Sequence, residues 1–146
     1  MCGIAGVLGR VDEGMLDDML SCVIHRGPDE DGRFVDGQHP LMMGMRRLSI
    51  IDIDEGTQPI YNEDDTVAVV FNGEIYNYLE LRERLERAGH TFSTNSDTEV
   101  LVHGWEEYGE RLPEHLNGMF AFSLWDATEK SLFLVRDRVG IKPLYY

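Results

Sequence analysis

The most reactive prospect in this sequence is Cys2, because only Met1 precedes it. Initiator methionine is normally removed when the next side chain is small, and its removal makes Cys2 the N-terminal residue. A free α-amine titrates near about 7.7–8.0 and a thiol near about 8.5, so proton transfer between them is nearly balanced. One residue then supplies both nucleophile and base. An acyl-transfer nucleophile also needs donors aimed at the developing oxyanion. Asn72-Gly73 follows the apolar run 67–71 and can offer a side-chain amide and an unhindered N–H; the same pair is also an ordinary turn signal. Arg47 heads Leu48-Ser49-Ile50-Ile51, and its guanidinium suits bidentate capture of a carboxylate. Glu74 and Asp97 are two anions that together suit an ammonium group, although Asp97 alone reads as decoration of a helix N-terminus. A thiol, an oxyanion hole, one cation and two anions complement a zwitterionic amino acid whose side-chain carbonyl is attacked. Glutamine has that composition.

These groups must be brought together by elements spread along the whole chain. Residues 2–8 form a short apolar run that predicts a buried strand. Met15, Leu16, Met19, Leu20 and Val23 recur at helical spacing behind Asp12 as cap. His25-Arg26-Gly27-Pro28-Asp29 breaks that helix, and strands are expected over 32–35, 41–45 and 48–53. A further buried strand over 67–71 ends at Asn72-Gly73. A second helix has Asn77 as cap, Glu80 at N3 and Gly89 just past its end. A third has Ser96 as cap and Glu99 three residues later. Residues 119–125 and 132–135 read as a hairpin. Strands punctuated by a few helices, without regular βαβ alternation, predict an α+β fold with largely antiparallel sheets.

Composition narrows the function classes. The 146 residues carry 27 acids against 13 bases, a net charge of −14, with 42% hydrophobic residues. That is enough apolar content for one packed domain. The absence of a basic patch disfavours nucleic acid and anionic membranes as partners. Two cysteines, Cys2 and Cys22, with no CxxC pair, suggest a reducing compartment rather than a disulfide framework. The five histidines (25, 39, 90, 103 and 115) show no HExxH spacing, so no metal site is expected. No apolar run approaches a membrane span, and the N-terminus lacks a basic signal-peptide region. A cytoplasmic domain without metal or cofactor is the expectation.

Seven blocks, in order, carry a resemblance to a known family: Met1 to Gly6, His25 to Asp29, Arg47 to Asp52, Phe71 to Asn77, Ser96-Asp97-Thr98-Glu99, Leu116 to Phe122 and Arg136 to Tyr146. They resemble the glutaminase domain of glutamine-hydrolysing asparagine synthetases across nearly the whole chain. The resemblance implies a four-layer αββα sandwich of the N-terminal-nucleophile (Ntn-hydrolase) type over residues 1–146. It implies that Cys2 forms a γ-glutamyl thioester and that Asn72 and the Gly73 N–H form the oxyanion hole. Arg47 then binds the α-carboxylate of L-glutamine, Glu74 and Asp97 lie near its α-amine, and Leu48, Ser49, Ile50 and Ile51 complete the pocket. In this family the freed ammonia passes to a synthetase domain that uses ATP and Mg to activate aspartate as β-aspartyl-AMP. Neither GxxxxGK[ST] nor a Ser-Gly-Gly-x-Asp-Ser loop occurs here, so ATP and Mg are expected only in a domain outside this sequence. Met45 departs from the His that many relatives place before the paired arginines. Relatives also continue beyond Tyr146, so the domain is expected to be C-terminally incomplete, with 141–146 as an exposed strand edge.

Three alternatives follow from the same residues. The partner domain belongs to another amidotransferase; or Cys2 or Cys22 pairs with a histidine as a Cys/His hydrolase; or the chain is a non-catalytic acidic interaction module. The bases comprise eleven Arg and two Lys, Lys130 and Lys142. An acid excess with Arg in place of Lys fits a salt-adapted protein, and equally one kept soluble by charge. Thermal melts separate the two: self-repulsion relieved by screening predicts a Tm that climbs from low to molar NaCl, whereas a flat curve removes the case for salt adaptation.

Overall fold

The computed structural model describes residues 2–9, 12–48 and 56–146. The strand expected over 48–53 falls almost wholly outside them, and Leu48 itself belongs to no regular element. Among the described residues, the strands are β1 (Gly3–Leu8), β2 (Glu30–Val35), β3 (Leu41–Arg47), β4 (Ile60–Tyr61), β5 (Val67–Ile75), β6 (Gly118–Asp126) and β7 (Ser131–Arg136). The helices are α1 (Glu13–Cys22), α2 (Tyr78–Ala88), α3 (Glu99–Tyr108) and the short α4 (Leu112–His115). All strand pairings are antiparallel, in two sheets ordered β1-β3-β2 and β4-β5-β6-β7.

Side-chain parity sorts the core into layers, because successive residues of a strand point to opposite faces. From β5, Val67, Val69 and Phe71 pack with Leu81 and Leu85 of α2 and Val100 and Leu101 of α3. Its alternate residues Ala68 and Val70 pack instead with Leu41, Met43 and Met45 of β3. On the far side of β3, Met42 meets Leu16 and Leu20 of α1. The order is therefore α1, first sheet, second sheet, α2 with α3. This is the expected αββα sandwich.

Several local expectations are corrected. Asn72-Gly73 makes no turn; β5 continues to Ile75, because Asn72, Gly73 and Glu74 face Ala121, Phe120 and Met119 in the ladder. Gly73 is required there by close approach, since a Cβ would lie 2.1 Å from the Met119 carbonyl oxygen. Arg47 is the last residue of β3. Residues 141–146 form no strand; the Asp137 carboxylate accepts N–H bonds from Ile141 (2.8 Å) and Lys142 (2.9 Å) and coils that segment. Asn77 sits at the start of α2 but does not cap it: its amide donates to the His115 carbonyl (2.9 Å) and accepts from the Asn117 N–H (2.9 Å).

α1 begins behind Asp12, whose carboxylate accepts the Gly14 N–H at 3.0 Å. Its buried face is narrower than the sequence pattern suggests: Leu16 and Leu20 are each 2% exposed, Met15 41% and Met19 37%. Leu16→Ala is accordingly expected to cost about 2–5 kcal/mol. Met15→Ala should stay within about 0.5 kcal/mol. Denaturant unfolding of the two variants measures the contrast, and equal losses would place both side chains in the core.

Candidate active site

The site lies at one end of the sandwich, where the start of β1, the end of β3, the end of β5 and the approach to α3 meet. Gly3 of β1 faces Arg46 of β3, so the next position along brings Cys2 beside Arg47. Cys2 is half-buried against the inter-sheet cluster that contains Met45. The departure at Met45 is thus absorbed as apolar packing behind the thiol. The Cys2 Sγ lies 3.9 Å from the Leu48 carbonyl oxygen.

Arg47 is 4% exposed. Its cross-strand neighbour on β2 is Glu30, whose carboxylate accepts the guanidinium at 2.9 Å. The His25–Asp29 segment fixes the backbone behind it. Arg46 donates to the Gly27 carbonyl at 3.1 Å, and the Asp29 N–H donates to the Arg47 carbonyl at 3.1 Å. A Cβ at Gly27 would sit 2.2 Å from the Arg46 backbone, so glycine is what lets the two segments touch.

From the second sheet come Asn72, Gly73 and Glu74. Asn72 has the parity of Ala68 and Val70 and so turns toward the first sheet, where Cys2 lies. It is 5% exposed, and its amide oxygen is buried without a hydrogen-bond partner. Buried amides are normally satisfied, so this one marks a place for another group. Asp97, 5% exposed, is tied to β5 because its carboxylate accepts the Ile75 N–H at 2.8 Å. That bond sets Asp97 beside Glu74. Burial pushes the Asp97 carboxyl up to about 6; the Glu74 charge adds to the rise, and the Ile75 N–H opposes it.

Cys2, Arg47, Leu48, Asn72, Gly73, Glu74 and Asp97 all line one cleft. Ser49, Ile50 and Ile51 lie outside the described residues. None of the cleft's described lining residues is a histidine, and Cys22 is exposed at the end of α1. A Cys/His pairing therefore finds no support.

The cleft also contains residues that sequence reasoning missed. Gln58 is the most informative: its carbonyl oxygen accepts the Phe71 N–H at 2.7 Å, and its amide lies 3.4 Å from the Thr98 hydroxyl. It braces β5 against the approach to α3, one residue from Asn72 and one from Asp97. Its position before Pro59 was the available signal. Ser96 and Thr98 line the cleft on either side of Asp97. Ser96 does not cap α3 as expected; Thr98 occupies the cap position, and the Ser96 hydroxyl accepts the Thr98 N–H at 3.2 Å. Lys142, 3% exposed, completes the wall.

A glutamine amidotransferase domain model matches residues 1–146. Asparagine synthetase [glutamine-hydrolyzing] 1 of Bacillus subtilis is 48% identical over 153 aligned residues, covering 100% of this chain and 24% of its own length. Asparagine synthetase [glutamine-hydrolyzing] 2 of Arabidopsis thaliana is 46% identical over 150, covering 99% of this chain and 25% of its own length. The chain thus spans about a quarter of the curated relatives it matches. Among solved structures, glutamine phosphoribosylpyrophosphate amidotransferase from B. subtilis, complexed with ADP and GMP, superposes with a TM-score of 0.75 at 22% identity. That match covers 96% of this chain and 38% of the other, and it supports the αββα fold.

Asp97 makes stability depend on pH in a defined direction. Its folded value of about 6 lies above the ordinary 3.8, so the neutral form is the one the fold favours. The stabilising contribution is complete below pH about 4 and is lost as pH rises through about 6, a swing of about 3 kcal/mol. Asp97→Asn should therefore gain stability relative to wild type as pH rises from about 4 to 7. Urea unfolding across that range tests it, and parallel pH profiles would mean that Asp97 titrates normally.

Proposed function

The chain belongs to the glutamine amidotransferase domain family, and from that premise we propose that it hydrolyses the side-chain amide of L-glutamine with Cys2 as nucleophile. The supporting observation is the cleft itself. Residues from four separate segments, chosen for their chemistry alone, line one concave site with anions in β5 and before α3 and a cation, Arg47, at the end of β3.

Each group has one task in this reading. The Cys2 thiol gives its proton to its own α-amine, freed when Met1 is removed, and attacks the amide carbon of glutamine. The C–N bond then breaks, the amine returns the proton to the departing nitrogen, and ammonia leaves a γ-glutamyl thioester. Water hydrolyses the thioester to glutamate and restores the thiol. Asn72 and the Gly73 N–H bear the oxyanion in both steps. Arg47, already oriented by Glu30, holds the α-carboxylate. Glu74 and Asp97 hold the α-ammonium, a cation that relieves the repulsion between them and favours ionised Asp97. Leu48 and, by resemblance, Ser49, Ile50 and Ile51 close the pocket. In this reading a synthetase domain or subunit receives the ammonia, in keeping with the asparagine synthetases that match the chain, and by the family resemblance ATP and Mg would act there on aspartate. A reducing cytoplasm would keep Cys2 as the thiol; no helix among the described residues is long and apolar enough to cross a membrane.

Steady-state glutaminase assays test the assignment. Cys2→Ala is expected to abolish ammonia release while glutamine still binds by calorimetry. Asn72→Ala should lower kcat by about 10²–10³, or about 3–4 kcal/mol of transition-state stabilisation. Arg47→Ala should chiefly raise KM, because the carboxylate is held equally in ground state and transition state. Activity surviving in Cys2→Ala, or a pure KM effect from Asn72→Ala, would overturn the roles given.

A further inference from the structure

Away from the cleft, four side chains from three segments converge on one point: Glu63 after β4, His90 just beyond α2, and His103 and Glu106 on α3. His103 and Glu106 are three apart and so share a helix face. The four donor atoms lie within 4.8 Å of one another. His103 Nδ1 is 3.3 Å from Glu63 Oε2 and 3.5 Å from Glu106 Oε2. His90 Nδ1 is 3.5 Å from Glu63 Oε1 and 3.5 Å from Glu106 Oε2.

Those separations are long for charge-assisted N–H···O bonds, which close to about 2.7–2.9 Å. The two to Glu106 Oε2 come near the edge of a tetrahedron around a zinc ion, about 3.3–3.6 Å for bonds of 2.0–2.2 Å, and the full set of four donors lies within 4.8 Å. The second, independent observation is His103 itself. It is 1% exposed, and its Nδ1, turned into the cluster, is buried without a hydrogen-bond partner.

The outer faces of both imidazoles are oriented as metal ligands require. His103 Nε2 lies 3.4 Å from Glu99, and His90 Nε2 lies 3.1 Å from Glu107. Each is a carboxylate–histidine pair that leaves Nδ1 as the ligating nitrogen. Glu99 is itself held in place by the N–H groups of Ser93 and Thr94, each donating to its carboxylate at 2.7 Å. Glu63 and Glu106 are exposed, so an ion can enter from solvent.

We propose that Glu63, His90, His103 and Glu106 bind a divalent transition metal, zinc by preference, as a closed structural site. Four protein donors and no open position suit a structural ion and not a hydrolytic one. The ion ties the end of α2 and the segment after β4 to α3. The proposal is independent of the glutaminase reading.

The test is calorimetric titration of the chelator-treated 146-residue chain with ZnCl2, in a Cys2→Ala, Cys22→Ala background so that thiols contribute nothing. One equivalent is expected, with Tm rising with Zn2+ concentration. Cobalt substitution should give the intense visible band of a four-coordinate site. Glu63→Gln and His90→Ala lie at the rim, where the fold tolerates change, and circular dichroism checks that it does. Each should weaken binding at least about tenfold, and Glu107→Gln by about 10–100-fold. Absence of binding in the cysteine-free protein, or binding that folded Glu63→Gln and His90→Ala leave unchanged, overturns the site.

Discussion

Because β5 is covered on one face by α2 and α3 and on the other by the first sheet, its parity decides which layer every side chain enters. Val69 and Phe71 are committed to the helices, Ala68 and Val70 to the opposing sheet. Asn72, the next even position, is carried toward the first sheet at the end where β1 begins. A one-residue slip would turn Asn72 to the helical side and the Phe71 side chain toward the first sheet. The nine-residue ladder with β6 prevents the slip: Gly73 faces Phe120 and Gly118 faces Ile75 at contacts too close for a Cβ. The packing requirement and the chemical requirement are thus one constraint on register.

The first sheet solves a complementary problem, that of holding a buried arginine, 4% exposed, in one direction. A buried cation without a partner is costly, and Glu30 meets that need on the neighbouring strand. The pairing leaves the guanidinium fixed in direction instead of searching among rotamers, so a bound carboxylate loses less of its affinity to ordering. The turn at Gly27 serves the same end through the backbone, by pressing on Arg46 and Arg47.

How far the sequence revealed this depended on whether a feature was local. The layers were legible, since alternation along β5 and helical spacing in α2 and α3 are properties of single segments. The candidate site residues were gathered because their chemical types complement one another, and the structure brings Cys2, Arg47, Asn72 and Asp97 to one cleft. Features set by partners far along the chain were not. Asn72-Gly73 looks like a turn until β6 is paired with it, and Ser96 looks like a cap until Asp97 is drawn to the Ile75 N–H. Met15 has the right spacing for a core face, yet on α1 it is Leu16 and Leu20 that pack against Met42 of the first sheet, while Met15 is 41% exposed. The histidine–glutamate cluster is the extreme case. Its members come from three segments, and the one short spacing among them, His103 to Glu106, joins neither Glu63 nor His90.

Asp97 and Glu99 show how the same short stretch serves chemistry and architecture at once. They are two residues apart and both are buried, at 5% and 0% exposure. Burial alone would raise both carboxyls, yet one is pushed up to about 6 and the other held down to about 2. The difference lies in the donors each one meets. Glu99 accepts from the N–H groups of Ser93 (2.7 Å) and Thr94 (2.7 Å) and from the Thr94 hydroxyl (2.6 Å), with His103 beyond. Its charge is compensated within the fold, and the loop before α3 is knotted around it. Asp97 has the Ile75 N–H on one side and the charge of Glu74 on the other. Burial and that neighbouring charge together outweigh the N–H donors it meets. A fold that surrounds one acid with donors and sets its neighbour, two residues away, beside a like charge gives two buried carboxylates of one short stretch opposite titration behaviour.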